Sequence, residues 1–593
     1  MRPRNGFGSQ RHWTRFETVR PSSFPRLLFG TETPKTMDPV NDRWPRQIKF
    51  IVGNEAAERF SFYGMKSILA LYITTALLQT KDRATTIIHL FVFAVYFMPL
   101  FGAWLSDRIW GRYRTILWIS LFYCAGHGVL ATSDLFTSVD AKLICLYVGL
   151  SLIAFGSGGI KPCVSAFMGD QFESTHSTLV RKAYAAFYFS INFGSFFSYL
   201  VIPWVAAKPA ELAQDAGTLD RWLWQLKHAG FTGYSWAFGV PGILMALATL
   251  IFWLGTKHYV RKPPARETRT AGFFMVFLAA FRNLSGGASG LRLSALASAL
   301  TSAVLPLLAM VGMVFVALQQ HLSPVAKVIG WTALGCIGLW YVLLLVASVS
   351  KRSELPDAFW QCAGRRFSAT EINAAKSVSP ILGVFAFVVP FWALFDQSNS
   401  TWVLQGAQMQ PFQFVGLTIG AEQMQSLNPL LVMILVPLLT WGAYPFCEKL
   451  GWRVSPLRRI SVGLLMTGFS FVMVAWLQQR LETGHTLSLA WQCFPYVILT
   501  AGEVLVSTTG LEFAYTQAAP SMKSTIMSFW LLTIAMGNLL VTTITQLGGG
   551  HGDASVSSGR FYLYAGMMMA AGVLFVFIAA RYHYRDEATP SGS

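Results

Sequence analysis

Charged residues are scarce in this chain of 593 residues, since Asp, Glu, Lys and Arg together make up only 12% of it. Soluble domains carry about 25% charged residues, so the composition excludes an ordinary soluble protein. Hydrophobic residues make up 53%, and the mean hydropathy is +0.46. Because a membrane-spanning helix needs about 20 mostly apolar residues, the many apolar runs of that length predict a protein that crosses a membrane repeatedly.

Several chemical signatures are also missing. The seven cysteines form no Cys-x-x-Cys pair and no metal-ligand spacing, which argues against a disulfide framework or a zinc site. No Walker loop is present, so we do not expect ATP to drive the protein. No Gly-x-Ser-x-Gly elbow supports hydrolysis. We therefore expect no enzyme activity, no metal and no cofactor.

Acidic residues are fewer than basic ones, 28 against 46, which gives a net charge of +18. The Lys and Arg residues gather in loops such as 108–114, 257–266 and 449–459, which alternate onto one side of the predicted membrane spans. The positive-inside rule explains this pattern without a nucleic-acid partner. It predicts that both termini are cytoplasmic in a multi-pass protein.

The apolar runs form two sets of six, with two further runs between them. The first set lies at 48–77, 86–106, 114–132, 141–169, 183–205 and 234–256, and the second at 378–397, 424–447, 457–478, 488–517, 521–546 and 559–582. The two extra runs are near 292–319 and 327–350. We predict an all-α membrane protein of about fourteen spans, with six-helix bundles at 46–256 and 376–582 and a linker at 257–375 that carries the extra pair. Two six-helix halves favour a transporter whose halves rock around a site at the membrane midplane.

The ends of the chain differ from the rest. Residues 1–45 are basic and rich in Arg, Pro and Ser, without a signal-peptide run, and we expect a cytoplasmic extension there. The stretch that begins at Met37 leads straight into the first span, so we hypothesise that Met37 is the native start. We expect residues 583–593 to form a cytoplasmic tail.

Seven ionisable side chains lie inside the predicted spans. They are Glu55, Glu58, Arg59, Lys66, Lys161, Asp396 and Glu503. A charge at the bilayer centre costs at least ~2.5–3.5 kcal/mol, so such residues usually mark an ion or substrate pathway. Four acids face three bases, and one bound proton would remove the surplus. This imbalance predicts transport coupled to protons.

The first span places two of these acids and one base together. Glu55, Glu58 and Arg59 are spaced i, i+3 and i+4, so they share one face of a helix. Two nearby carboxylates do not both ionise cheaply, which makes one of them a candidate proton site that Arg59 moderates. The alternative is a static buried ion pair that holds helices together, but such a pair needs no second acid.

The loop at 102–114 resembles the signature that the major facilitator superfamily carries between its second and third helices. It contains Gly102, Asp107, Gly111 and three arginines. We interpret it as a charge clamp in which Asp107 caps or pairs near helix ends and the arginines meet C-terminal helix dipoles. A plain basic loop that sets topology explains the arginines but not the Gly and Asp spacing.

The chain resembles the proton-dependent oligopeptide transporter (POT/PTR) family over about residues 45–582. That family carries a Glu-x-x-Glu-Arg motif on its first helix, which matches Glu55–Arg59. Further matches are the stretches 187–195, 391–397 and 158–162, and Gly502-Glu503 with Ser507. The resemblance implies the major facilitator fold and proton-coupled import of di- and tripeptides.

The resemblance also implies roles for matching positions. Glu503 would receive the peptide amino terminus, and the amides of Asn192 and Asn428 would bond its backbone or amino end. Lys161, with Lys66 and Tyr63, would form the positive cluster for the peptide carboxylate. This agrees with charge logic, because a zwitterion needs one buried acid and one buried base. Tyr96 and Trp392 would form side-chain pockets or pack between helices.

Asp396 resembles the acid that pairs with the base at position 66 and gates the extracellular side. Many bacterial members have Arg where this chain has Lys66, and lysine is a point charge that loses its proton more readily when buried. His89 resembles the histidine of animal peptide transporters. It is either a proton relay or a buried hydrogen-bonding residue. Cys163 replaces an Asn of many relatives, which puts one polar contact near Lys161 in doubt, and Phe62 replaces a Tyr, which removes a hydroxyl from the cavity edge.

We therefore predict a proton-coupled symporter of di- and tripeptides in the cytoplasmic (inner) membrane, functional as a monomer, with the proton as its only coupling ion. The main alternative is a carrier of another small substrate on the same scaffold, such as nitrate or an amino-acid derivative. Glu503 argues against an anion carrier, which gains nothing from a buried acid. An intramembrane peptidase is disfavoured because no catalytic constellation supports it.

Overall fold

The structure is a computed structural model that describes residues 44–172, 177–208, 218–230, 233–264, 272–283, 304–319, 321–349, 357–452, 454–549 and 552–582. The hypothesis about Met37, the extension at 1–43 and the tail at 583–593 lie outside these ranges.

The first half of the described chain is helical. Its helices are α1 (Ile48–Leu71), α2 (Lys81–Leu105), α3 (Arg112–Ala131), α4 (Val139–Gly169), α5 (Ser177–Ala206), the short α6 (Thr218–His228) and α7 (Tyr234–Leu254). Side-chain caps define two of the starts, because Thr80 accepts the Arg83 N–H at 3.3 Å and Ser138 accepts the Ala141 N–H at 3.1 Å. Such caps satisfy amide groups that lack a partner inside the helix.

The linker region contains α8 (Phe273–Arg282), α9 (Leu305–Ala317), α10 (Pro324–Val349), α11 (Asp357–Gln361) and α12 (Ala369–Lys376). The predicted extra pair corresponds to α9 and α10, which pack on each other. The start of the predicted run at 292–319 lies outside the described residues. A capping box of Ser368 and Glu371 fixes the start of α12.

The second half is also helical apart from one hairpin. Its helices are α13 (Val378–Ala386), α14 (Val388–Phe395), α15 (Thr401–Gly406), α16 (Leu427–Pro437), α17 (Tyr444–Lys449), α18 (Pro456–Glu482), α19 (Cys493–Glu503), α20 (Thr509–Gln517), α21 (Lys523–Leu547) and α22 (Ser558–Arg581). The hairpin pairs β1 (Phe412–Phe414) with β2 (Leu417–Ile419) in antiparallel register.

Within the described residues, eleven helices are long and apolar enough to cross a membrane, or twelve if the bent pair Ala369–Ala386 and Val388–Gly406 is one span. α1 is not among them, which agrees with the charged side chains that it carries, and α9 is a shorter apolar helix. The protein is therefore a multi-pass membrane protein. The total of fourteen spans stays a prediction.

Glycines allow helices of each half to pack closely. A Cβ on Gly102 of α2 would overlap the backbone of Gly159 on α4. In the second half, a Cβ on Gly537 of α21 would lie 2.7 Å from the backbone of α14 at Val389 and Ala393. Small residues at such crossings let helix backbones approach each other in a membrane. These approaches join α2 to α4 in the first half and α21 to α14 in the second.

We call the end of the molecule at which α2 begins the Lys81 end. At the opposite end lies the predicted clamp loop, where Arg112 forms an ion pair of 2.5 Å with Asp170 at the C-terminus of α4, and Lys262 pairs with the same carboxylate at 2.9 Å. An arginine therefore meets a helix C-terminus, as the clamp interpretation predicts. Asp107 is exposed and bonds the neighbouring Ser106 at 3.3 Å, which is not the pairing between helix ends that we expected.

Candidate substrate and proton site

A cavity of about 290 Å³ lies between the two halves. It is near the lower end of the ~300–1,000 Å³ that is usual for small-molecule sites. The predicted residues that line it are Tyr63, Lys66, Tyr96, Asn192, Trp392, Asp396, Asn428, Glu503 and Ser507. The other predicted residues, Glu55, Glu58, Arg59, His89 and Lys161, are outside this lining. The structure thus separates a cavity from a charged cluster next to it.

Glu503 is the acid on the second-half wall of the cavity. The Asn428 amide donates to its carboxylate at 2.6 Å and to the Thr500 hydroxyl at 3.2 Å. A π-helical turn, Val504–Thr508, follows Glu503 directly, and such turns recur at functional sites. The Ser507 hydroxyl donates to the Glu503 backbone carbonyl at 2.8 Å, so it supports the turn. The carboxylate therefore faces the cavity with an amide as its hydrogen-bond partner.

Asn192 and Trp392 complete the polar and aromatic walls. The Asn192 amide donates to the Tyr188 carbonyl of its own helix at 3.0 Å. The Trp392 ring meets Trp530 edge-on at 6.2 Å, and its indole nitrogen has no hydrogen-bond partner among the described residues. Its position supports both interpretations made from the sequence, a pocket wall and an interhelical packing residue.

Lys66 and Asp396 join the two halves across the cavity. The Lys66 ammonium lies 3.2 Å from one Asp396 carboxylate oxygen, and the Asn538 amide donates to the other oxygen at 2.7 Å. Both charged side chains are buried. The contact agrees with the pairing that the family resemblance implies, while its gating role stays a prediction.

His89 extends this contact into a network between the halves. Its Nδ1 lies 2.7 Å from the Asn538 carbonyl oxygen, and its Nε2 lies 2.9 Å from the Ser400 hydroxyl. Because the Asn538 oxygen only accepts, Nδ1 carries the proton, and in the neutral ring Nε2 accepts from Ser400. His89 is completely buried. It is placed as a hydrogen-bonding residue of the interface, and the relay role stays a prediction.

The acids of α1 share one arginine. The Arg59 Nε lies 2.6 Å from a Glu55 oxygen and 2.9 Å from a Glu58 oxygen. The Ser157 hydroxyl of α4 donates to the other Glu58 oxygen at 3.3 Å. All three charged residues are buried. Their shared helix face thus forms a compact ionic cluster inside the first half.

Lys161 lies beside this cluster and is not among the residues that line the cavity with Lys66 and Tyr63, although it contacts the lining residue Tyr96. Its role in the expected positive cluster stays a prediction. Its ammonium sits 4.3 Å from the centre of the Phe62 ring and 4.2 Å from that of Tyr96, distances typical of cation–π contacts. Its Nζ has no hydrogen-bond partner among the described residues. The ring of Phe62 thus supports the lysine where many relatives carry a tyrosine.

The other substitution near Lys161 is Cys163. Its thiol is buried and lies 3.6 Å from the Gly159 carbonyl and 3.8 Å from that of Gly102. It is one of seven free cysteines. The thiol therefore makes weak contacts at the α2–α4 crossing, and the structure describes no hydrogen bond from Cys163 to Lys161.

Several residues of the site were missed from the sequence. Asn538 and Ser400 bind His89, and the Tyr199 hydroxyl of α5 donates to Asn399 at 2.9 Å across the cavity. A signal existed for Asn538, which is an amide within an apolar helix. Ser400 and Asn399 gave no such signal because they follow Asp396 in a short polar segment.

The hydrogen bonds described between the two halves all involve the Lys81 end or the cavity. They include those of Lys66, His89 and Tyr199, and one from the Gln425 amide to the Ser67 carbonyl at 3.1 Å. The halves are therefore closed on each other at the Lys81 end, as expected for one state of a rocking transporter.

Changing Lys66 tests this contact. Lys66→Arg is expected to preserve or strengthen closure, because a guanidinium can reach the same oxygen and offers further donors. Lys66→Ala leaves a buried carboxylate without its cation, at a cost of about 3–5 kcal/mol, and should remove uptake. Initial rates of dipeptide uptake, with equal expression verified, compare the two variants. An inactive Lys66→Arg variant would show that the site is tuned for lysine.

Two helical halves around a buried charged cavity define a secondary transporter of the membrane. The model of the POT family matches residues 113–549. The solved structure of an auto-inhibited POT family peptide transporter superposes with a TM-score of 0.73 and 38% identity, over 92% of this chain and 99% of that one. This chain belongs to the POT family, and the predicted fold class is confirmed.

Two curated relatives are also similar. Peptide transporter 3 of Caenorhabditis elegans is 31% identical over 441 residues, which cover 74% of this chain and 51% of that protein. Solute carrier family 15 member 2 of Homo sapiens is 31% identical over 438 residues, which cover 73% of this chain and 49% of that protein. The matched part thus spans about half the length of these relatives.

Proposed function

We propose that this protein is a symporter that imports di- and tripeptides together with protons. The observation that carries the proposal is the distribution of charge around the cavity. Glu503 presents an acid on the second-half wall, and the bases Lys66 and Lys161 belong to the first half. A zwitterion of peptide length would bring its ammonium group to the acid and its carboxylate to the bases. Charge-assisted hydrogen bonds of this kind are about twice as strong as neutral ones. The names of the similar peptide transporters support the same substrate class.

The charge balance of the clusters supports a proposal for the coupling step. Glu55 and Glu58 face Arg59, and Lys161 lies close enough to interact electrostatically with both acids. Lys66 and Asp396 neutralise each other. The surplus acid is then Glu503, which the peptide ammonium would neutralise. A peptide carboxylate that draws Lys161 towards the cavity would leave the α1 acids with one base, and Glu58 would then take up a proton.

The orientation follows from the loop charges. We place the Lys81 end on the extracellular side, because the basic loops at 108–114 and 257–262 lie at the opposite end, and the positive-inside rule puts them in the cytoplasm. The described conformation is then closed to the outside. We propose the cytoplasmic membrane as its location, both termini inside, and a monomer as the functional unit.

A dipeptide panel in proteoliposomes tests the function. Unblocked di- and tripeptides should enter faster under an inward proton gradient and be recovered intact. Blocking the amino or carboxyl end should reduce uptake roughly tenfold or more, because a buried partner is left unpaired. Entry of nitrate or of free amino-acid derivatives, with no entry of peptides, would favour the alternative substrate. Recovery of cleaved peptide alone would contradict transport.

A further inference from the structure

A second contact between the halves lies away from the cavity, at the first turn of α2. The Asp82 carboxylate accepts the backbone N–H of Ser555 at 2.6 Å and that of Gly552 at 3.3 Å. The Asp82 N–H donates in turn to the Gly552 carbonyl at 3.1 Å. Asp82 is 1% exposed and Ser555 is 2% exposed. The carboxylate of one half is thus enclosed by the loop between α21 and α22 of the other half.

Neighbouring groups extend this contact on both sides. On the buried side, the Thr85 hydroxyl lies 3.3 Å from that of Ser555. On the rim, the Lys81 N–H donates to Asp553 at 3.1 Å, and the Lys81 ammonium lies 3.4 Å from the same carboxylate. The loop residues Ala554–Val556 form a 3₁₀ turn, and the amide of its central residue, Ser555, points at Asp82. We name this group of contacts, from Lys81, Asp82 and Thr85 to Gly552, Asp553 and Ser555, the Asp82 clasp.

An acid in the first turn of a helix ordinarily stabilises its own helix end. Asp82 is different because its described hydrogen bonds go to the other half, while the Thr80 side chain caps α2. No cation is described against the Asp82 carboxylate, so the backbone amides of the loop are its counterpart. A buried carboxylate without those amides would be costly unless water reached it. The contact therefore suits two states, one enclosed by the loop and one solvated.

We propose that Asp82 is a further gating residue of the transport cycle, whose bonds to the loop form when the Lys81 end closes and break when it opens. The proposal rests on the proposed transport function, because a gating residue needs a transport cycle. The clasp itself is separate in space from Lys66 and Asp396. It would favour the closed state independently of substrate, because none of its residues lines the cavity.

A distance measurement tests the proposal without substrate. Spin labels are placed on cysteines introduced at Leu135 and Leu417, exposed positions of the two halves at the Lys81 end, in a background free of native cysteines.

Asp82→Asn keeps the shape of the side chain but removes its charge, and an amide nitrogen cannot accept the loop N–H groups. We expect the ratio of long to short distances between the two labels to rise roughly tenfold. This factor corresponds to the free energy of about one hydrogen bond to a charged group. Lys81→Ala removes only the rim ion pair, whose Asp553 side chain is 61% exposed, and should change the ratio less than about twofold. Equal shifts in both variants, or none in Asp82→Asn, would overturn the proposal.

A crosslink keeps the proposal testable if Asp82→Asn does not fold. Lys81→Cys and Asp553→Cys place two thiols at positions that a hydrogen bond and an ion pair join across the clasp. Once oxidised, they should block peptide uptake, and a reductant should restore it. Continued uptake with the disulfide intact would show that the clasp does not open. If the double-cysteine variant takes up no peptide after its disulfide is reduced, while the spin labels still show the Lys81 end opening, the result would count against the proposed function and not against the clasp.

Discussion

Glu58→Gln is expected to lose proton-driven accumulation of peptide while peptide exchange continues. The substitution removes the proton site but leaves Arg59 bonded to Glu55 at 2.6 Å and an amide able to accept from Ser157. A gradient of one pH unit supplies at most about tenfold accumulation for each coupled proton, because one unit is 1.36 kcal/mol. In the variant, the peptide concentration inside the vesicles should rise no higher than the concentration outside. Uptake with and without an imposed gradient, and counterflow of labelled peptide at equal pH, measure the two activities.

Ser157→Ala provides the matched control for Glu58→Gln. It removes the weak 3.3 Å bond to Glu58 without removing the acid, so the variant should still accumulate peptide under the gradient. A Glu58→Gln variant that a pH gradient still drives would contradict the assignment of the proton to Glu58. Loss of counterflow together with accumulation would assign Glu58 to substrate binding as well.

Glu503→Ala should reduce the uptake of dipeptides that have a free amino terminus roughly tenfold or more at low substrate concentration. The peptide ammonium would lose its charged partner, and a hydrogen bond to a charged group is worth about 1.5–3 kcal/mol, so the apparent affinity should fall roughly tenfold to 150-fold. The Asn428 amide would also lose its acceptor at 2.6 Å. The measurement is the concentration dependence of dipeptide uptake, with an amino-blocked dipeptide as the second substrate.

Glu512 supplies the control acid. It lies nine residues further along the chain, on α20, and pairs with Arg459 at 3.8 Å, with its side chain 39% exposed. Glu512→Ala should therefore leave dipeptide uptake near the wild-type value. Undiminished uptake in Glu503→Ala would reject the role of Glu503. A greater loss of affinity for the unblocked peptide than for the blocked one would identify the amino end as its ligand.

The sequence predicted the helical halves because their apolar runs are long and are separated by basic loops. The helices α2, α4 and α18 illustrate this, since each coincides closely with a predicted run. The i, i+3, i+4 spacing predicted that Glu55 and Arg59 share a face, and they are paired. Helical periodicity fixes which side chains of one helix neighbour each other, so contacts within a helix were predictable.

Contacts between distant helices were less predictable. The pair Lys66–Asp396 came from the family resemblance, and the physics of either residue alone names no partner. The grouping of Lys161 with Lys66 also came from the resemblance, because a count of charges gives no distances between them. The structure places the Lys161 ammonium over Phe62 and Tyr96.

The hydrogen-bond partners of Asp82 were also not predictable from the sequence. As a first-turn acid after Thr80, it reads from the sequence as an ordinary stabiliser of the N-terminus of α2. Its function in the clasp depends on backbone amides of residues 552 and 555. Backbone donors carry no residue-type signal, so a pattern of side chains does not indicate which loop supplies them.

Proton flow driven by peptide tests the central claim most directly. Proteoliposomes that contain the protein and an entrapped pH-sensitive dye are given an inward gradient of an unblocked dipeptide at equal starting pH. The proposed symport predicts that the lumen acidifies as peptide enters, that an amino-blocked dipeptide produces no such change, and that Glu58→Gln abolishes it. Peptide entry without acidification, in vesicles shown to hold a pH gradient, would contradict the coupling of peptide and proton.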